Sequence, residues 1–289
     1  METIFEILLD ALLDSVKALP FLFGAYLIIE YLEHHSSGRV KRLLAGSHRL
    51  GPVAGALLGC IPQCGFSVAA ANLYGGRVIT AGALVAVFLS TSDEAIPVLL
   101  ANPGMLGVLG KLMLVKVLAA LAAGFAIDLA ARRFQAKGEH PLLEEEDQTG
   151  QMCSHCGCGH SVVRSALHHT GEIFVFLFLT TLVLGGVLEI IGEERLSMVL
   201  MEGSIFQPAL AGIIGLIPNC GASVLLTRLL MDGTLSFGAA LAGLSTNAGV
   251  GLLVLFRVGR RHTTRNLQLM GVLYLAAVVC GILLQTAGV

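Results

Sequence analysis

Long apolar runs alternate with short polar knots along this chain, and the lengths of the runs sort them into two kinds. Residues 18–33, 78–102, 105–131, 165–191, 235–256 and 268–287 are apolar stretches of membrane-crossing character, since a bilayer core takes about 20 apolar residues. They predict six crossings. Residues 51–74 and 207–230 are also apolar, but each is broken in the middle, at Pro62–Gly65 and at Pro218–Gly221. Each half is about ten residues, too short to span, so each run predicts a re-entrant hairpin that enters and leaves on one side. Broken backbone at membrane depth survives only where protein buries it or where it lines a cavity. Residues 2–16 place Glu2, Glu6, Asp10, Asp14 and Lys17 among apolar residues at helical spacing. They predict an amphipathic lead-in at a membrane surface.

The two breaks are copies of one another. Pro62 recurs as Pro218, Cys64 as Cys220, Gly65 as Gly221 and Ser67 as Ser223, a constant offset of 156 residues. Each copy is followed by a second knot inside the next crossing, Ser90-Thr91-Ser92-Asp93-Glu94 and Ser245-Thr246-Asn247. Each half then holds three crossings and one hairpin. Three is odd, so the halves run in opposite orientations. The expected fold is an all-α polytopic membrane protein of two inverted-topology repeats, 1–133 and 164–289, joined by a polar linker, 134–163. Basic loops agree with that plan. Arg39, Lys41, Arg42 and Arg49, then Arg132 and Arg133, then Arg257, Arg260, Arg261 and Arg265 fall on one side. That side is the expected cytoplasm, with both termini outside. Counting every hairpin arm as a segment gives about ten segments.

Composition narrows the class. The 289 residues are 55% hydrophobic and 13% charged, where soluble domains carry about 25% charged residues. The net charge of −2 points to no nucleic-acid partner. There is no basic stretch of signal-peptide type after Met1. The 7 Cys do not read as a disulfide framework, and Cys280 reads as packing. A phosphate-binding G-x-x-x-x-G-K-[ST] run is absent from the sequence, so an ion gradient is the expected energy source.

The polar knots carry the candidate chemistry. Pro62 and Pro218 are expected to stop the incoming half-helices, and the outgoing ones to start near Ser67 and Ser223. Those N-termini carry roughly half a positive charge and alone would favour an anion. Gln63, Cys64, Asn219 and Cys220 add two amides and two thiols, a soft donor set for Cu(I), Zn(II) or a metalloid. The bland alternative is a tight turn whose thiols merely pack. Ser90, Ser92, Asp93 and Glu94 bring hydroxyls and carboxylates to membrane depth, where ionisable groups are functional candidates. They suit a hard cation such as Mn(II), or a proton relay. Helix capping is the competing role. In the second knot, Ser245 and Asn247 supply neutral oxygens, with Asn247 placed near the Asp93 position after a one-residue gap. Glu30 and Glu189 form a further matching pair, as a proton path or as solvated interface residues. Lys111 and Lys116 are expected to snorkel or to pair with Asp93 or Glu94. In the linker, Cys153, His155, Cys156, Cys158 and His160 fall within eight residues, enough for a four-ligand soft-metal site that captures or senses metal.

The motifs Cys60-Ile61-Pro62-Gln63-Cys64-Gly65-Phe66-Ser67, Val87 to Pro97, and Ile217-Pro218-Asn219-Cys220-Gly221 resemble a family of ten-transmembrane heavy-metal exporters, labelled manganese transporters or arsenic efflux proteins. A more distant similarity links them to arsenical permeases. The resemblance implies efflux of a metal or metalloid ion across a bacterial inner membrane and gives candidate roles to Gln63, Cys64, Ser90, Ser92, Asp93, Glu94, Asn219, Cys220 and Asn247. It implies a non-enzymatic secondary carrier with the lipid bilayer and the ion as partners, no resident cofactor, and a homo-oligomer as an open option. Two other classes remain open. A carrier of anions or small organic acids would use the half-helix N-termini and leave the thiols incidental. An intramembrane enzyme would need a base beside Cys64, and His168 and His169 fall near the membrane edge.

Overall fold

The computed structural model describes residues 50–62, 64–76, 78–92, 95–136, 204–259 and 263–287, with isolated helical positions between 8 and 27 and between 167 and 183. Gln63, Asp93, Glu94, Glu30, Glu189 and the linker residues Cys153, His155, Cys156, Cys158 and His160 lie outside the described residues. Among the described residues every regular element is helical: α1 Gly51–Gly59, α2 Cys64–Gly75, α3 Ala81–Ser90, α4 Ala95–Leu100, α5 Leu106–Ala136, α6 Gln207–Gly215, α7 Cys220–Met231, α8 Phe237–Thr246, α9 Gly251–Val258 and α10 Thr263–Thr286. The bounds of α1 to α3 return 156 residues later as those of α6 to α8. Helix α5 runs three residues past the expected linker boundary at 133.

The hairpin arms are short. The 9 residues of α1 and α6 and the 12 of α2 and α7 span roughly 14 and 18 Å, against a core of about 30 Å. Both hairpins return to the end where they start. A Cβ on Gly51 would lie 3.6 Å from Thr80 Oγ1. In the second copy, Gln207 donates Nε2 to the Thr234 carbonyl at 3.0 Å and accepts from the Ser236 amide at 3.1 Å.

Two details of the breaks differ from expectation. The incoming arms end at Gly59 and Gly215, three residues before the prolines, with Cys60 and Leu216 as C-caps still in the right-handed region. The outgoing arms start at Cys64 and Cys220 rather than near Ser67 and Ser223. Those two hydroxyls lie inside the first turn and bond back to the Cys64 and Cys220 carbonyls at 2.8 and 2.7 Å.

Four stretches are long and apolar enough to cross a membrane: Ala81–Leu100, Pro103–Ala131, Phe237–Val258 and Thr263–Thr286. Their burial divides them. The broken spans, α3–α4 and α8–α9, are 75% and 89% buried, whereas α5 and α10 are 28% and 22% buried. The broken helices are the centre and the unbroken ones the outer wall, where Leu114, Leu118, Leu275 and Leu283 stand exposed as lipid-facing residues would.

Small residues let the wall close on the centre. A Cβ on Gly124 would meet the Gly82 carbonyl at 2.9 Å and Pro52 at 2.9 Å, tying α5 to α3 and α1. A Cβ on Gly281 would meet the Gly238 carbonyl at 2.5 Å and Pro208 at 3.1 Å, tying α10 to α8 and α6. The seam is the same in both halves.

Two buried clusters lie along the bundle. The first holds Leu84 to Leu89 of α3, Leu252 and Leu255 of α9 and Leu273 of α10. The second holds Leu99 of α4, Leu109 and Leu112 of α5, and Leu241 and Leu244 of α8. The first broken helix therefore passes from the first cluster to the second, and the second broken helix passes back. The halves also interlock. Gly251 of α9 sits on the backbone of Ser67 in α2, where an added Cβ would approach to 2.8 Å.

Candidate substrate cleft

Both broken helices open at the level of the hairpin tips. Helix α3 stops at Ser90, with Thr91 as its C-cap, and α4 restarts at Ala95. Helix α8 stops at Thr246, with Asn247 as its C-cap, and α9 restarts at Gly251. The ends Ser90 and Thr246 match at an offset of 156, so Asn247 matches Thr91, and the position of Asp93 matches Gly249. This corrects the one-residue gap expected for Asn247. The register is fixed by packing: Gly59 lies against Ser90, and Gly215 against Thr246.

The openings meet in one narrow cleft lined by Thr91, Ser92, Cys220, Ser223, Leu244, Asn247 and Gly249, with room for about one water. It takes residues from both broken helices and from the second hairpin tip. Cys64 is not among the described lining residues and packs against the first cluster. Ser67, Ser90 and Ser245 are buried but do not line the cleft either. The Ser90 hydroxyl is satisfied by its own helix, donating to the Ala86 carbonyl at 2.8 Å. Among the described residues the Ser245 hydroxyl has no hydrogen-bond partner.

The two asparagines act first on backbone. Asn219 caps α7, its Oδ1 accepting from the Gly221 amide at 2.7 Å. Asn247 accepts from the Gly249 amide at 3.0 Å, and its Nδ2 faces the Asn219 carbonyl at 3.4 Å. This pins the hairpin tip to the break in α8. Gly249 has φ +55°, a left-handed conformation suited to glycine.

Beneath the cleft lies Lys116 of α5, with no exposed surface. Its ammonium donates to the Thr91 carbonyl, to Ser92 Oγ at 2.6 Å and to the Leu244 carbonyl at 2.8 Å. All three acceptors belong to cleft-lining residues. Thr91 and Leu244 lie at the C-terminal ends of α3 and α8, where helix dipoles favour a cation. In the sequence Lys116 reads only as one of two lysines in an apolar run. Which face of the helix it occupies is set by packing. Lys111 gives no such contact among the described residues. At the far end of α3, the Asp128 carboxylate accepts from Thr80 Oγ1 and from the Gly82 amide, both at 2.9 Å.

Among the described residues no group of three or more His, Cys, Asp and Glu side chains is placed to hold a metal ion. The described cleft offers one thiol, hydroxyls, an amide and backbone carbonyls.

No curated protein and no solved structure matches the chain. One family match covers residues 2–193, well over half of the 289 residues. It takes in the first hairpin, the first broken helix, Lys116 and the linker. It supports membrane transport of a metal ion in general, and an exporter family rather than an enzyme family. The all-helical bundle with four apolar spans agrees with a multi-pass membrane protein, and the chain belongs to the family described as "Putative, 10TM heavy-metal exporter".

Proposed function

We propose that this exporter is a secondary-active carrier that moves a heavy-metal or metalloid ion of the Mn, Zn, Cu or As class through the cleft between the two broken helices. The observation that carries the reading is the convergence of both helix breaks and the Cys220 hairpin tip on one cleft. Paired breaks in two halves are the sequence mark of a transporter binding site. The thiol of Cys220 supplies a soft ligand, with Ser92 and Asn247 as oxygen donors beside it. Asp93 or Glu94 would carry a coupling proton, and Gln63 and Cys64 would complete the facing tip.

Inverted repeats, 1–133 and 164–289, are part of this proposal. In their support, the broken helices traverse the two clusters in opposite directions, and the six expected crossings with four hairpin arms would add up to ten, the number in the family's description. A cytoplasmic placement of the basic loops is supported by Arg257 in α9's last turn and by Arg265 over the Tyr74 ring, 5.4 Å from its centroid. These residues share one end of the bundle. The linker 134–163 would collect metal there through Cys153, His155, Cys156, Cys158 and His160.

The test is elemental. Wild type, Cys220→Ser and Cys64→Ser are expressed in metal-sensitive bacteria, and cellular Mn, Zn, Cu and As are read by mass spectrometry. The expected outcome is that wild type lowers one element and that Cys220→Ser weakens the effect about tenfold, the equivalent of about 1.4 kcal/mol, with a smaller loss for Cys64→Ser. If no element responds to wild type, the metal cargo is wrong. A carrier of anions, using the α7 N-terminus at the cleft, then takes its place.

A further inference from the structure

Desolvating an ammonium costs several kcal/mol, and a buried ion is retained where its contacts compensate or its function requires it. The scaffold itself does not require one at this site. The seam residues Gly124 and Asp128 of α5 correspond to Gly281 and Gln285 of α10, an offset of 157 residues. At that offset Lys116 corresponds to Leu273, which is equally buried, at 1% exposure. A leucine fills this position in one half, and a lysine fills it in the other.

What the lysine adds is a bond between the halves. Two of its acceptors, the Thr91 carbonyl and Ser92 Oγ, belong to the break of the first broken helix. The third, the Leu244 carbonyl, belongs to the last turn of the second broken helix. All three residues line the cleft. Parting the halves to admit an ion must break the Leu244 contact, and closing them remakes it.

We infer that Lys116 is the latch of the carrier. It is a positioning residue whose ammonium ties the break of one half to that of the other and holds the cleft narrow between transport steps. The inference deepens the carrier reading and rests on it. Lys116 does not contact the cargo. It acts through Thr91, Ser92 and Leu244.

The experiment uses the full chain in proteoliposomes, as wild type, Lys116→Met, Lys116→Arg and Ser92→Ala. Labelling of Cys220 by a bulky maleimide is followed by peptide mass spectrometry, with Zn²⁺ and arsenite as separate transport probes. Lys116→Met is expected to label Cys220 about tenfold faster and to transport about tenfold more slowly, while Lys116→Arg, which keeps the charge, labels near the wild-type rate. Cys280, packed against the second cluster in α10, is the control. General loosening exposes both thiols, whereas loss of the latch exposes Cys220 alone. The inference is overturned if folded Lys116→Met labels Cys220 at the wild-type rate, or if Cys280 rises in parallel. Where Lys116→Met does not fold, Ser92→Ala decides, because it removes one of the three described acceptors. A roughly threefold rise at Cys220 supports the latch, and no rise overturns it. If labelling responds to Lys116 but neither probe moves, the latch stands and the metal cargo fails. If a probe moves at the wild-type rate in Lys116→Met, the latch fails and the cargo stands.

Discussion

One substitution at two places on the same helix tests the packing that holds the cleft together. Gly281 and Gly271 both lie inside α10. A Cβ at 281 would stand 2.5 Å from the Gly238 carbonyl, 2.9 Å from Ala242 Cβ and 3.1 Å from Pro208 Cβ. A Cβ at 271 meets nothing within 4 Å among the described residues. Alanine in a helix interior is worth about 1 kcal/mol over glycine, and that gain is common to both sites. At 281 the carbonyl must retreat by roughly 0.9 Å to reach ordinary contact at 3.4 Å. It belongs to the backbone of α8, so α10 and α8 must part. Overpacking of this kind costs about 1–3 kcal/mol. Subtracting the two variants cancels the helix term and leaves the steric one. Gly271→Ala is expected to raise the thermal midpoint and Gly281→Ala to lower it, separated by several degrees at about 2–4 °C per kcal/mol. The midpoint is read in detergent with a thiol-reactive dye, which suits a chain with 7 Cys and no Trp. Equal shifts for the two variants would refute the seam as the element that seats the outer wall on the broken helices.

Two further outcomes follow from the same contacts. Asp128→Ala leaves the Thr80 hydroxyl and the Gly82 amide without their acceptor. It is expected to cost about 2 kcal/mol, with Asp128→Asn costing about half as much, and identical midpoints for the two variants would show that these bonds do not anchor α3. Gly249→Val puts a β-branched residue at φ +55° beside the cleft. A strain of roughly 1–3 kcal/mol is expected, with Gly249→Asn milder because asparagine tolerates that region, and a wild-type midpoint for Gly249→Val in the same assay would contradict the conformation.

The membrane class, the broken hairpins and the offset of 156 were legible because each is a matter of run length and repeated residue type. Pro62 and Pro218, Cys64 and Cys220 announce themselves by their spacing. The register of the second knot was not legible. Ser90-Thr91-Ser92 against Ser245-Thr246 can be matched in two ways by residue type. Only the seating of Gly59 on Ser90 and of Gly215 on Thr246 decides between them. The start of the outgoing arms was misplaced for a related reason. Ser67 and Ser223 look like caps, but their hydroxyls serve carbonyls inside the first turn, while Asn219 does the capping in the second copy. Lys116 was visible as a charge in an apolar run, but a helix of 31 residues offers many faces, and the sequence does not say which one meets the break.

The backbone of the two halves is alike where the chemistry is not. The glycine seam, the hairpin mouths and the helix ends recur at matching positions. By position Lys116 corresponds to Leu273, Asp128 to Gln285 and, from the helix ends, Asp93 to Gly249. In the proposed carrier, halves of matching backbone would make the inward and outward states near-copies of each other and close in energy. It also needs its charges in one place, because a second buried ammonium would double a desolvation cost of several kcal/mol. Repeating the scaffold while placing a lysine at only one of the two matched sites, Lys116 and Leu273, satisfies both requirements. On α5 the residues Leu109 and Leu112 reach the second cluster and Ala120 the first, and Lys116 lies between them, at the level where the proposed latch joins the two broken helices.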